Sequence, residues 1–222
     1  MMKKFWQLSI LSLGVLFFST QTKVQAQETG DMILNLNYSP SFPMGGFKDN
    51  IIGKTSWKGY SGDVMYHFAD KWAAGLGFAY QGFEERTPRA TYALNGSDVN
   101  GVLNTRINMY PILAKAQFYP LGGTNAFIRP YVQLGTGLAV IDFDQYLGMY
   151  SVASRATGRF MAQGGIGFSI PFGKLTSNGL QIGANYNYVN YDGRFTDQAG
   201  NLSKVNNLGS LSAYVGVHFM LR

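Results

Sequence analysis

Cysteine is absent from the chain. That excludes a disulfide framework, a thiol nucleophile, a cysteine-ligated metal and a lipid-modified cysteine anchor. Charge is scarce too: Asp, Glu, Lys and Arg make up 14% of residues, against roughly a quarter in a soluble domain. No apolar run is long enough for a bundle of membrane helices, and mean hydropathy is close to zero. What is abundant is glycine, with 28 residues, and aromatic side chains, at 15%. The 222 residues suffice for one domain of ordinary size, and this composition fits a β-rich membrane protein better than a cytosolic enzyme.

The first stretch reads as a secretory signal. Lys3 and Lys4 precede an apolar core from Leu8 to Phe18, and Val24-Gln25-Ala26 supplies modest side chains where a signal peptidase reads. The core is about half the ~20 residues of a membrane-spanning helix. We expect a cleavable signal over 1–26 and a single folded domain over 27–222. Cleavage removes Lys3, Lys4 and Lys23 and lowers the net charge from +6 to +3. So weak a balance gives no argument for a nucleic-acid partner.

Beyond the signal, the apolar period is two, not 3.6. The last segment is the clearest. Leu211, Ala213, Val215, Val217, Phe219 and Leu221 share one face; Ser212, Tyr214, Gly216, His218, Met220 and Arg222 share the other. Seven further segments alternate in the same way, over about 32–39, 56–68, 72–83, 105–119, 127–143, 159–170 and 180–190. Met109 and Leu113 break the polar face of the fourth. Crossing a bilayer takes roughly 9 to 11 residues per tilted strand. Eight strands of about this length close into an antiparallel ring, and closure is obligatory because lipid cannot satisfy an open sheet edge. The expected fold is all-β: a closed, antiparallel, eight-stranded transmembrane barrel with meander connections.

A soluble eight-stranded barrel would carry the same period with its apolar face inward. Side-chain size separates the two. The lumen of eight strands is just wide enough for side chains to fill. Here the apolar face is bulky, and the other face is rich in Gly, Ala, Ser, Asn and Gln. The small, polar face suits the inside. Aromatic placement agrees. Tyr38, Tyr60, Tyr80, Tyr110 and Tyr188 fall at one end of their strands, and Phe68, Trp72, Phe118, Phe168 and Phe219 at the other, as two interfacial girdles would. The connections 69–71, 120–126 and 172–178 are short, while 40–55, 84–104, 144–158 and 191–207 are long. Short periplasmic turns and long outer loops give this asymmetry.

The mature chain resembles the OmpA/OmpX-like eight-stranded outer-membrane barrels over about 31–222. Its compact motif is terminal: Tyr214, Gly216, Phe219 and Leu221, set in Tyr214-Val215-Gly216-Val217-His218-Phe219-Met220-Leu221, resemble the signal that barrel-assembly machinery reads. The family usually ends on an aromatic residue, where this chain has Leu221 followed by Arg222. We expect the barrel domain alone, without the peptidoglycan-binding module that some members of the family carry. The resemblance implies the outer membrane of a Gram-negative bacterium, contact with its lipid, a monomer and no cofactor.

Some barrels of this kind modify lipid A with a histidine, a serine and an acid near the outer rim. This chain has two histidines, His67 and His218, both toward the periplasmic end, so we expect no catalytic site and no metal site. Asp63, His67, Lys115, Gln117, Gln133, Arg159, Gln163 and Asn185 read as a polar lumen network, joined by Arg129 and Gln181. A charge in so narrow a space needs a partner; Lys115 and Arg159 are the candidates for Asp63, the alternative being a water-filled lumen. Gln163-Gly164-Gly165-Ile166-Gly167 lacks the Lys and Ser/Thr of a phosphate loop. Glu84, Glu85, Arg86 and Arg89 open the longest outer loop and make it the first candidate for an extracellular ligand. A non-enzymatic barrel with a binding, adhesive or envelope-maintaining role is expected. A narrow pore and a lipid A-modifying enzyme are the alternatives.

Overall fold

In the computed structural model, residues 30–221 are described, apart from 95, 96, 123, 125, 174, 175 and 197–201. The expected signal, Arg222 and the middle of the 191–207 connection, residues 197–201, lie outside the described residues. The strands are β1 (Met32–Tyr38), β2 (Ser41–Met44), β3 (Lys58–Ala69), β4 (Trp72–Leu94), β5 (Ser97–Phe118), β6 (Arg129–Leu147), β7 (Tyr150–Gly173), β8 (Thr176–Val189), β9 (Gly193–Thr196), β10 (Leu202–Val205) and β11 (Leu208–Leu221); one short helix, α1, spans Gly46–Asn50.

Eight of these strands form the ring, in the order β1-β3-β4-β5-β6-β7-β8-β11, and β1 pairs back onto β11. The closing register runs from Met32 opposite Leu221 to Tyr38 opposite Val215. All ring pairings are antiparallel. The barrel therefore leaves no unpaired edge in lipid. β2 continues the line of β1 along β11, with Ser41 opposite Ser212 and Met44 opposite Gly209.

Alternation sorts the side chains as expected over the membrane segment. Leu36, Leu76, Ile112, Leu134, Leu138 and Ile166 stand outward and exposed, while Asn35, Asp63, Lys115, Gln133 and Asn185 are buried within. The aromatic rows are contiguous. Tyr38 and Tyr60 lie 5.7 Å apart by ring centroid, Tyr80 and Tyr110 5.4 Å, and Trp72 and Phe118 at the other end 4.7 Å. From Trp72 to Tyr80 is about nine residues, as a tilted transmembrane strand requires.

None of the four long connections is the plain loop that its sequence indicates, and the 191–207 segment holds the antiparallel pair β9 and β10. The 84–104 segment is mostly strand: β4 runs on to Leu94 and β5 starts at Ser97. The 144–158 segment is likewise β6 and β7, joined by a turn at Gly148, whose φ of 60° suits glycine. The 40–55 segment holds β2 and α1. Outside the bilayer neither strand face must meet lipid, so the apolar alternation fades although the pairing persists. β3 meets β4 no further than Lys58 opposite Gly82, and β8 meets β7 no further than Val189 opposite Met161. Beyond these points β4, β5, β6 and β7 rise together as a four-stranded sheet. β4 runs about 45 Å from Tyr80 to Leu94 at about 3.3 Å per residue, but the four strands stay together only as far as Leu103 opposite Leu147, and the β4–β5 hairpin alone continues to Leu94.

Candidate functional site: a sealed lumen beneath an extracellular sheet

The lumen is filled in tiers. At the periplasmic end lie Met65, Ala73, Tyr119, Tyr131 and Tyr214, all buried. His67 and His218 share this end, beside Ile33, Asn35 and Gln117. Among the described residues neither ring nitrogen of His67 has a hydrogen-bond partner, and its ring lies 5.5 Å from that of Tyr119.

Above this tier is the polar network. Lys115 donates to Asp63 at 2.5 Å, and both side chains are 6% exposed. The two residues belong to β5 and β3, with β4 between them. Gly77 of β4 makes the crossing possible: a Cβ there would run into the Asp63 carboxylate and lie 2.7 Å from Lys115 Cε. Arg159, the other candidate, is not joined to Asp63, and its Nε has no hydrogen-bond partner among the described residues. A chain of amides crosses the lumen. The Tyr119 hydroxyl donates to Gln117 at 2.9 Å, Gln117 to Gln133 at 3.1 Å, and Gln133 to Asn185 at 2.5 Å. A second chain runs from Tyr131 to Gln181 at 3.3 Å, from Gln181 to Asn37 at 2.5 Å, and from Asn37 to Ser61 at 3.2 Å. Gln163 donates to Asn187 at 2.8 Å, and Asn187 to Ser212 at 2.7 Å. Burying so many amides is tolerable because they satisfy one another.

Tyr131 and Tyr214, whose hydroxyls are 2.8 Å apart, were not foreseen as network members. The glycines hold the signal that could have found them. A Cβ at Gly167 or Gly183 would collide with the Tyr214 hydroxyl, so the small lumen face of β7 and β8 is the space that the rings occupy.

The outer tier corrects the expectation of a small, polar inner face. Phe83, Ile107, Met109, Leu113, Ile141, Phe143, Met161 and Leu208 point inward and pack as one apolar cluster. Met109 and Leu113, which break the polar pattern in the sequence, belong to it. α1 closes the cluster from above: Phe47 and Ile52 are fully buried and Ile51 nearly so. The rings of Phe47 and Phe83 meet edge to face at 5.0 Å. Small cavities remain below. About 10 Å³ is open among Asn37, Asp63, Lys115, Tyr131 and Asn185, and about 20 Å³ between Gln81, Leu113, Lys115, Gln163 and Ser212. Each has room for about one water.

The four residues expected on the binding loop lie on β4 and do not form one cluster. Glu84 faces outward, with Lys58 Nζ at 3.4 Å and an Arg106 nitrogen at 3.6 Å. Burial pushes its carboxyl up, but the charge of Arg106 and the hydrogen bonds and charge of Lys58 outweigh this and hold it below its ordinary value. Glu85 accepts the Gly53 N–H just after α1, at 2.5 Å. Arg86 and Arg89 are exposed, and a bulge between Thr87 and Ala90 interrupts the β4–β5 register beside Arg89. Of the terminal motif, Tyr214 is buried in the lumen and Phe219 and Leu221 face lipid; Gly216 packs against Asn37.

A closed ring of eight strands, a bulky apolar belt between two aromatic rows and a polar lumen define an outer-membrane β-barrel. A family model described as the outer membrane protein beta-barrel domain matches residues 10–219, and the chain belongs to that family. It is a protein of the Gram-negative outer membrane, in contact with its lipid. No curated protein matches the chain. Similar solved structures include the outer membrane protein OprG from Pseudomonas aeruginosa, at 18% identity and a TM-score of 0.49, covering 90% of this chain and 99% of that one. The attachment invasion locus protein Ail of Yersinia pestis is similar at 16% identity and a TM-score of 0.44, covering 86% and 100%. Neisserial surface protein A is similar at 15% identity and a TM-score of 0.45, covering 86% and 97%.

Proposed function

We propose that the protein is a non-conducting, non-enzymatic outer-membrane barrel that presents its extracellular sheet as a binding or adhesive platform. The carrying observation is the contrast between the two halves of β4–β7. Below the tyrosine row their inner faces are packed against a filled lumen; above it they form a sheet with two long edges, one along β4 after Gly82 and one along β7 before Met161. Such edges offer unpaired backbone groups to a partner. Pro88 and the bulge beside it blunt the β4 edge, which leaves β7 the more open of the two. The buried positions of His67 and His218, toward the periplasmic end, support the non-enzymatic reading. Recognition of Tyr214, Gly216, Phe219 and Leu221 by assembly machinery, before β11 closes on β1, belongs to the same proposal.

The test is to shorten the sheet. Replacing residues 88–102 and residues 144–154, each with Asn-Gly, joins the paired Thr87 and Leu103 and the paired Phe143 and Arg155 through two-residue turns and shortens both edges. Cells displaying the intact chain should adhere to immobilised glycans or matrix proteins at least several-fold better than cells displaying the shortened chain, with heat-modified gel mobility retained by both. Equal adherence would contradict the proposal.

A further inference from the structure

We propose that the recess bounded by Lys58, Tyr80, Gly82, Glu84, Arg106 and Asn108 binds a phosphorylated sugar headgroup of an outer-leaflet glycolipid. This recess, of about 250 Å³, lies on the outer wall of the barrel, away from the lumen, where β3 leaves β4 at Lys58 opposite Gly82. Its height is fixed by the tyrosine row. Tyr80 and Tyr110 mark the outer interface, and the recess begins at Tyr80 and rises two strand repeats to Glu84. It therefore opens sideways, at headgroup level, toward the leaflet.

Gly82 creates the space. The outward positions of β4 run Tyr80, Gly82, Glu84, and a Cβ at Gly82 would lie 2.6 Å from the Tyr80 hydroxyl and 3.3 Å from Asn108 Oδ1. The walls carry the donors. Lys58 and Arg106 flank Glu84 at 3.4 and 3.6 Å, with side chains 69% and 47% exposed. At those distances Glu84 orients both cations and leaves most of their N–H groups unused. Arg106 offers a planar fork suited to a phosphate, and Lys58 a second positive point. The Tyr80 hydroxyl donates to Asn108 at 3.1 Å, and these two groups with Glu84 supply the donors and acceptors that sugar hydroxyls need. Asp144, opposite Arg106 on β6, is held by the Ser154 hydroxyl at 2.8 Å.

Trp57, 65% exposed and adjacent to Lys58, is a built-in reporter once Trp72 at the far interface is changed to Phe. The mature chain in maltoside micelles is titrated with bisphosphorylated lipid A, and Trp57 emission is followed. We expect a saturable change whose midpoint shifts at least tenfold upward in Lys58→Met/Arg106→Met, but not in Lys204→Met, which removes an exposed cation of β10 paired with Asp192. Gly82→Leu, which fills the recess and keeps both cations, should weaken binding by a similar factor. Equal midpoints in wild type and the double variant would overturn the proposal, as would equal binding of dephosphorylated lipid A. Saturation by inorganic phosphate at the lipid A concentration would overturn the lipid assignment in favour of a free anion.

Discussion

Asp63 and Lys115 form the buried charge pair of the lumen, and their geometry shows how one position without a side chain sets a partner. Both residues face inward by alternation, as does Arg159. The choice between the two cations depends on the empty place at Gly77, across which Lys115 reaches Asp63. Removing one member strands the other in a buried site with room for about one water. Asp63→Leu should cost about 3–5 kcal/mol, read as a lower temperature of the heat-modified gel shift, whereas Asp63→Leu/Lys115→Met should recover most of the loss. No recovery in the double variant would mean that the pair is not what the single change disrupts. Glu84, outside the membrane, makes a smaller and pH-dependent contribution. Its folded-state carboxyl is held below its ordinary value. The stability it lends is therefore present above the unfolded value and is lost as pH falls through the folded one. A carbon-detected NMR titration should give Glu84 a midpoint below that of an ordinary glutamate; a midpoint at or above it would contradict the ion trio.

At the level of elements, the transmembrane half of each strand was legible and the outer half was not. From Trp72 to Tyr80 one face meets lipid and the other the lumen, so every second residue changes character. Past Tyr80 the outer side meets headgroups and then water rather than hydrocarbon, and Glu84, Arg86 and Arg89 look like loop residues while sitting on a paired strand. α1 was hidden for another reason. Its five residues are too few to show a helical period, and Phe47, Ile51 and Ile52 become meaningful only when the apolar mouth made by Phe83, Ile107 and Ile141 is in place. The plug should act as a seal. A cysteine introduced as Met109→Cys, in a chain with no other, should resist a membrane-impermeant maleimide added to cells. Adding Phe47→Ala and Ile52→Ala, at a local cost of about 3–5 kcal/mol per large side chain, should raise its labelling rate at least tenfold. Equal labelling would show that α1 does not close the mouth.

At the scale of the whole molecule, the ring, the plug and the sheet divide the work. The ring pairs strand with strand around its whole circumference and anchors the chain. Among the described residues, the plug and the amide network border spaces of about 10 and 20 Å³, and these support the proposal that no continuous path crosses the barrel. The sheet carries the surface that a partner would meet. The sealed lumen is the central claim, because an open one would make the protein a channel and the sheet its vestibule. Planar-bilayer recording of the refolded mature chain tests it most directly: the closed barrel predicts insertion without conductance steps. Reproducible single-channel steps from properly folded, heat-modifiable protein would contradict it.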